Sequence, residues 1–202
     1  IDARYERLEA LLGPAARRGL RGRTVAVVGC GAVGGQLVPH LAMLGLDLLL
    51  VDRDVVDLPN LGNQAFDPEH VGLAKVEARR RQALRINPDC RVTVIQARLE
   101  ELGFARLRDA ELLFCGLDSL AARVRLNELA VRLGIPWGDA AVAGTGDALY
   151  GRVSSFGTGE AACFLCAWDQ AALQDAVAAR PRGCPSWSHP DNDDAPPTLS
   201  SS

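Results

Sequence analysis

Apolar positions along the chain fall into alternating segments of two different periods. Thr24-Val25-Ala26-Val27-Val28 and Leu46 to Val51 are continuous apolar runs, as expected of strands buried on both faces. Between them, Val33 to Leu44 carries apolar residues at helical spacing. Strand, helix and strand in this order predict a βαβ unit.

The same reading continues downstream. Lys75 to Ile86 predicts a charged helix stopped by Asn87-Pro88, Arg91 to Gln96 alternates like a strand, and Glu111 to Cys115 is another apolar strand. Ser119 to Leu133 predicts a helix closed by Gly134 and Pro136. Ala148 to Phe156 reads as an antiparallel strand, and a helix is expected from Trp168 to about Ala179. Upstream, Arg4 to Leu12 reads as a short amphipathic helix, and Gly13, Pro14, Gly19 and Gly22 as a connector. The resulting fold class is α/β: a mainly parallel sheet flanked by helices, with an antiparallel extension. Residues 1–180 are expected to form one domain. From Pro181 onward Pro, Ser and Asp replace the periodic pattern, so 181–202 is expected to be a flexible crossover or tail.

Composition narrows the classes of function. Of 202 residues 48% are hydrophobic, enough for a real core. A net charge of −3 and 5% aromatics argue against nucleic-acid binding, which favours a basic excess and stacking platforms. No apolar run reaches the ~18 residues of a membrane span. Six cysteines in a chain this long favour a reducing cytoplasm over a disulfide framework.

The candidate chemistry begins at Gly29-Cys30-Gly31-Ala32-Val33-Gly34, between the first strand and its helix. Gly29 permits a tight turn, Gly31 lets backbone approach a phosphate, and Gly34 lets the helix pack close to the strand. The helix N-terminus then offers N–H groups to an anion. Asp52, at the end of the second strand, is placed to accept from ribose hydroxyls. At this point NAD and ATP are equally good ligands.

The next segments separate them. Asp52-Arg53-Asp54-Val55-Val56, then Asn60-Leu61-Gly62-Asn63-Gln64, then Gly72 and Lys75, resemble the ThiF/MoeB family of adenylating enzymes, related to ubiquitin-activating enzymes. Cys115-Gly116-Leu117-Asp118-Ser119, Arg123 and Asn127 continue the resemblance in order, and Arg4-Tyr5-Glu6-Arg7 resembles the family's N-terminal motif. It extends from Arg4 to Cys166 and implies a Rossmann-like fold that adenylates a carboxylate with ATP and Mg²⁺. It implies that Lys75 and Arg7 supply positive charge and that Asp118 holds Mg²⁺. Asp52 and Asp54 would flank the ribose, and Asn60 and Gln64 would position the nucleotide. It further implies a homodimer, with the N-terminal arginine supplied across subunits, and a partner that is a ubiquitin-like or sulfur-carrier protein with a Gly-ending C-terminus. One departure stands out: the family's phosphate-contacting arginine is Asn63 here.

Cys163 and Cys166 form a C-x-x-C pair that can fill two positions of a tetrahedral Zn²⁺ site; an uncommitted pair of thiols or a redox dithiol are the alternatives. Cys184 stands beside Arg182 where some family members carry a cysteine that accepts the activated carboxylate. Family members continue past a Pro/Thr/Ser segment into a further helix, so the end at Ser202 reads as the start of a truncated crossover. Two other functions remain open: an NAD-dependent oxidoreductase on the same βαβ unit, and a pseudo-enzyme that binds a nucleotide or partner without chemistry.

Overall fold

The computed structural model describes residues 3–145, 148–158 and 163–167, together with positions 171 and 174. The helix expected from Trp168 lies outside them except at two positions. The segment from Pro181 onward, with Cys184, lies wholly outside.

In chain order the elements are α1 (Glu6–Leu12), α2 (Pro14–Leu20), β1 (Thr24–Val28), α3 (Gly34–Met43), β2 (Asp47–Val51), α4 (Lys75–Ile86), β3 (Val92–Ile95), β4 (Leu112–Cys115), α5 (Leu120–Leu133), β5 (Trp137–Thr145) and β6 (Ala148–Phe156). The strands form one sheet in the order β3-β2-β1-β4-β5-β6. The first five are parallel and β6 returns antiparallel to β5.

Strand side chains alternate between the two faces, and each face has its own core. On one, Val25, Val27, Leu48 and Leu50 meet Val38, Leu41 and Ala42 of α3 and Val76 and Ala83 of α4. On the other, Ala26, Val28, Leu49, Val51 and Leu113 meet Leu126, Leu129 and Ala130 of α5. Helices therefore cover both faces, which is why the strands read as continuous apolar runs.

Two elements differ from the sequence expectation. The connector at residues 13–22 contains α2, because Pro14 occupies the first helical turn, where its missing N–H costs nothing. β5 was not expected: Gly138, Ala140, Ala141, Ala143 and Gly144 dilute its β propensity. Its partners define it, since it adds to β4 on one side and pairs along its whole length with β6 on the other.

Candidate active site

The strand order reverses between β1 and β4, because β2 lies on one side of β1 and β4 on the other. In an open α/β sheet the crevice beyond the carboxyl ends of such strands is where ligands bind. Here that crevice is open to solvent. It is lined by the residues that follow four strands: Gly29 after β1, Asp52 to Asp54 after β2, Ala97 to Glu100 after β3, and Gly116 to Ser119 after β4.

Interlocking glycines form its floor. Gly29 has φ +87°, and a Cβ there would lie 2.7 Å from the backbone of Gly116. A Cβ on Gly34 would run into the Gly29 carbonyl oxygen, and one on Gly116 would lie 2.6 Å from the Gly34 nitrogen. The turn after β1, the start of α3 and the end of β4 thus share a space that admits only backbone.

Asp52 braces this turn. Its carboxylate accepts the Cys30 N–H at 2.6 Å and the Asp54 N–H at 2.9 Å. Burial pushes the Asp52 carboxyl above its ordinary value, opposed by those N–H groups and by Lys75. The thiol of Cys30 packs inside the turn as a small apolar group, and burial raises its pKa far above that of an ordinary cysteine.

Lys75, the first residue of α4, is buried, and its Nζ lies 3.1 Å from an Asp54 carboxylate oxygen. Asp54 also meets Arg53 at 3.2 Å. The cation assigned by resemblance to the phosphates is not among the residues lining the crevice; the acid that holds it is.

Asp118 lines the crevice from the opposite side, half-buried. It does not cap α5; Ser119 does, its hydroxyl accepting the Ala122 N–H at 3.1 Å. The Asp118 carboxylate makes no hydrogen bond or ion pair among the described residues. A carboxylate left available beside a phosphate-sized space suits Mg²⁺, which takes one or two carboxylates plus phosphate and water oxygens. Behind it, Arg123 donates to the Asp118 carbonyl at 3.3 Å and to the Asp139 carboxylate at 2.8 Å. Arg152 completes the group at 2.7 Å from the other Asp139 oxygen.

The remaining candidates are placed elsewhere. Gln64 is buried, its Oε1 has no hydrogen-bond partner among the described residues, and it does not line the crevice. The Asn60 side chain accepts the Asp57 N–H at 2.9 Å, capping a 3₁₀ turn over Leu58–Gly62. Arg7 is exposed on α1. The preceding residues Arg4 and Tyr5 bond Asn87 at the far end of α4, about 18 Å along that helix from Lys75. Within one chain Arg7 does not reach the crevice.

Cys163 and Cys166 flank a short turn anchored by Phe164, which packs with Trp137 and Phe156 at centroid distances of 5.6 and 5.7 Å. Their sulfurs are 3.8 Å apart. Two thiolates at about 2.3 Å from one tetrahedral zinc are separated by about 3.8 Å, so the pair has the geometry of half a zinc site. Burial would raise the Cys163 thiol, but hydrogen bonds from the Leu165 and Cys166 backbone and from Asn127 outweigh it and hold the thiol below its ordinary value. No cluster of three cysteine, histidine or carboxylate ligands includes this pair among the described residues.

Sequence reasoning missed the strand-end loop Ala97-Arg98-Leu99-Glu100 and the apolar wall made by Leu117 and Ala122. Their one signal was position: Ala97 to Glu100 directly follow a parallel strand beside the glycine turn. Asp139 was missed with β5.

Comparison with known proteins gives a consistent family. The model described as "ThiF family" matches residues 5–186. Ubiquitin-like modifier-activating enzyme 5 of Xenopus laevis is 33% identical over 162 residues, covering 73% of this chain and 40% of that protein. SUMO-activating enzyme subunit 2 of Dictyostelium discoideum is 26% identical over 170 residues, covering 82% of this chain and 25% of the relative. The crystal structure of E. coli MccB with MccA-N7isoASN shares the fold, with a TM-score of 0.69 at 23% identity, over 82% of this chain and 51% of that one. The chain thus spans less than half the length of these curated relatives.

Proposed function

The chain belongs to the ThiF family, and from that premise we propose that it is an ATP-dependent adenylyltransferase. It activates a C-terminal carboxylate of a ubiquitin-like or sulfur-carrier protein. The carboxylate oxygen attacks the α-phosphorus of ATP. The bond from that phosphorus to the oxygen bridging the α- and β-phosphates breaks, pyrophosphate leaves, and an acyl-adenylate remains.

The observation that carries this reading is the convergence of Gly29, which opens the glycine turn, and Asp118 on one crevice at the switch between β1 and β4. The turn and the N-terminus of α3 receive the phosphates. Lys75 answers the negative charge that accumulates on them, and Asp54 fixes where its ammonium sits. Asp52 holds the turn and borders the ribose. Asp118 would hold Mg²⁺, which supplies charge neutralisation to the phosphates. Leu99, Leu117 and Ala122 offer apolar surface suited to a base. The relatives' names support a ubiquitin-like protein as the carboxylate's source.

The placement of Arg7 supports a homodimer in which a second copy completes the site. The spacing of Cys163 and Cys166 supports zinc bound with two further ligands from outside the described residues.

The test is ATP–pyrophosphate exchange in the presence of a Gly-ending ubiquitin-like protein. Exchange that depends on Mg²⁺ and on the protein's free C-terminus supports the reading. ATP binding without exchange across such partners favours the non-catalytic alternative, for which Asn63 in place of an arginine is the sequence argument.

A further inference from the structure

Arg79 lies one turn beyond Lys75 on α4 and is 1% exposed. A guanidinium carries five N–H donors in a rigid fork, and here each has an acceptor. Nε donates to the Cys30 carbonyl at 3.2 Å and Nη2 to the Gly31 carbonyl at 3.3 Å, both in the glycine turn. Nη2 also donates to the Gln64 carbonyl, and Nη1 donates to the Ala65 carbonyl at 3.2 Å and to Gln82 at 2.8 Å. The same group stacks on Phe66, 3.9 Å from its ring centre. One side chain thus joins two loops that have no strand or helix in common.

A second observation shows that the fold is built around it. Gly35, in the first turn of α3, faces the guanidinium, and a Cβ there would lie 2.5 Å from Arg79 Cζ. The usual reasons for glycine do not apply, since Gly35 is helical and its φ is not positive. Its missing side chain is the space that Arg79 occupies.

We infer that Arg79 is a positioning residue for the nucleotide: it fixes the glycine turn and the segment of residues 60–66 in one register, and Gly35 is glycine to admit it. The inference rests on the reading of the crevice as an ATP site. Arg79 is buried beneath the turn and is not among the residues lining the crevice, so it acts through the carbonyls it holds.

The experiment uses the full chain with Arg79→Ala, Arg79→Lys, Gly35→Ala and the double variant Gly35→Ala/Arg79→Ala, studied well below their melting temperatures. Arg79→Ala is expected to lower kcat/KM for ATP in pyrophosphate exchange by about 10²-fold, carried mainly by KM. Arg79→Lys keeps the charge but cannot span both loops, so it should not restore KM. Gly35→Ala should raise KM alone and add nothing once Arg79 is gone. Amide hydrogen exchange supplies a readout independent of activity: Arg79→Ala should deprotect residues 29–36 and 60–66 together and leave α5 unchanged. Unchanged protection in those two segments, an unchanged KM in a folded Arg79→Ala variant, or full rescue by lysine overturns the inference. If the wild type neither binds ATP nor shows exchange while the two segments still open together in Arg79→Ala, the ATP reading fails and the clamp stands.

Discussion

The carboxylate of Asp52 accepts the backbone N–H of Cys30 at 2.6 Å, so the residue that closes β2 holds the turn that follows β1. Asp52→Ala leaves that buried N–H without an acceptor. The expected cost is about 1–3 kcal/mol of unfolding free energy, read from urea denaturation, with a weaker response to nucleotide.

The pH dependence of the same residue has a definite sign. Burial raises the folded-state carboxyl of Asp52 above its ordinary value of 3.8. Its stabilising contribution is complete below the unfolded value and is lost as pH rises through the folded one. Asp52→Asn cannot ionise, so its unfolding free energy should fall less than that of the wild type as pH rises above the ordinary carboxylate value. An identical fall in the two proteins would show that Asp52 is not the group responsible.

Asp139 is the buried acid between Arg123 and Arg152. Removing it strands Arg123, which also holds the Asp118 carbonyl. Asp139→Ala should cost about 3–5 kcal/mol, the scale for breaking a buried pair from one side. Asp139→Asn keeps an acceptor and should cost less. A thermal melt of the two variants checks the order.

Lys75→Met should lower the exchange kcat by about 10²–10³-fold, the scale of losing one group that stabilises transition-state charge. Asp54 remains partly solvated and keeps Arg53, so the variant should stay folded by circular dichroism. Exchange kinetics near wild type in Lys75→Met would remove Lys75 from the phosphate site.

The cysteines should separate by reactivity. Cys163 is held below the ordinary thiol value, whereas burial raises Cys90 to about 11 and Cys115 to about 12. In the native protein iodoacetamide should modify Cys163 at the lowest pH and leave Cys30, Cys90 and Cys115 untouched, as peptide mass spectrometry would show. Bound zinc should protect Cys163 and Cys166 together.

Much of this arrangement was legible in the chain. The glycine turn, Asp52 and Asp118 are fixed by strand ends, and buried parallel strands announce themselves as unbroken apolar runs such as Val25 to Val28. Other parts depend on contacts distant in sequence. β5 is rich in small residues and exists as a strand because β4 and β6 flank it. Arg79 looks like any arginine on a charged helix until the loops at residues 30 and 65 close over it. Gln64 reads as a ligand contact, yet its side chain is buried and is not among the residues lining the crevice.

The central claim, that this crevice binds Mg·ATP through the glycine turn and Asp118, is tested most directly by calorimetric titration of the wild type and of Asp118→Ala with ATP in the presence and absence of Mg²⁺, and with NAD. The account predicts Mg²⁺-dependent ATP binding by the wild type, loss of the Mg²⁺ dependence in a folded Asp118→Ala variant, and no comparable heat from NAD. Tighter binding of NAD than of Mg·ATP, or equal Mg²⁺ dependence in the two proteins, would contradict it.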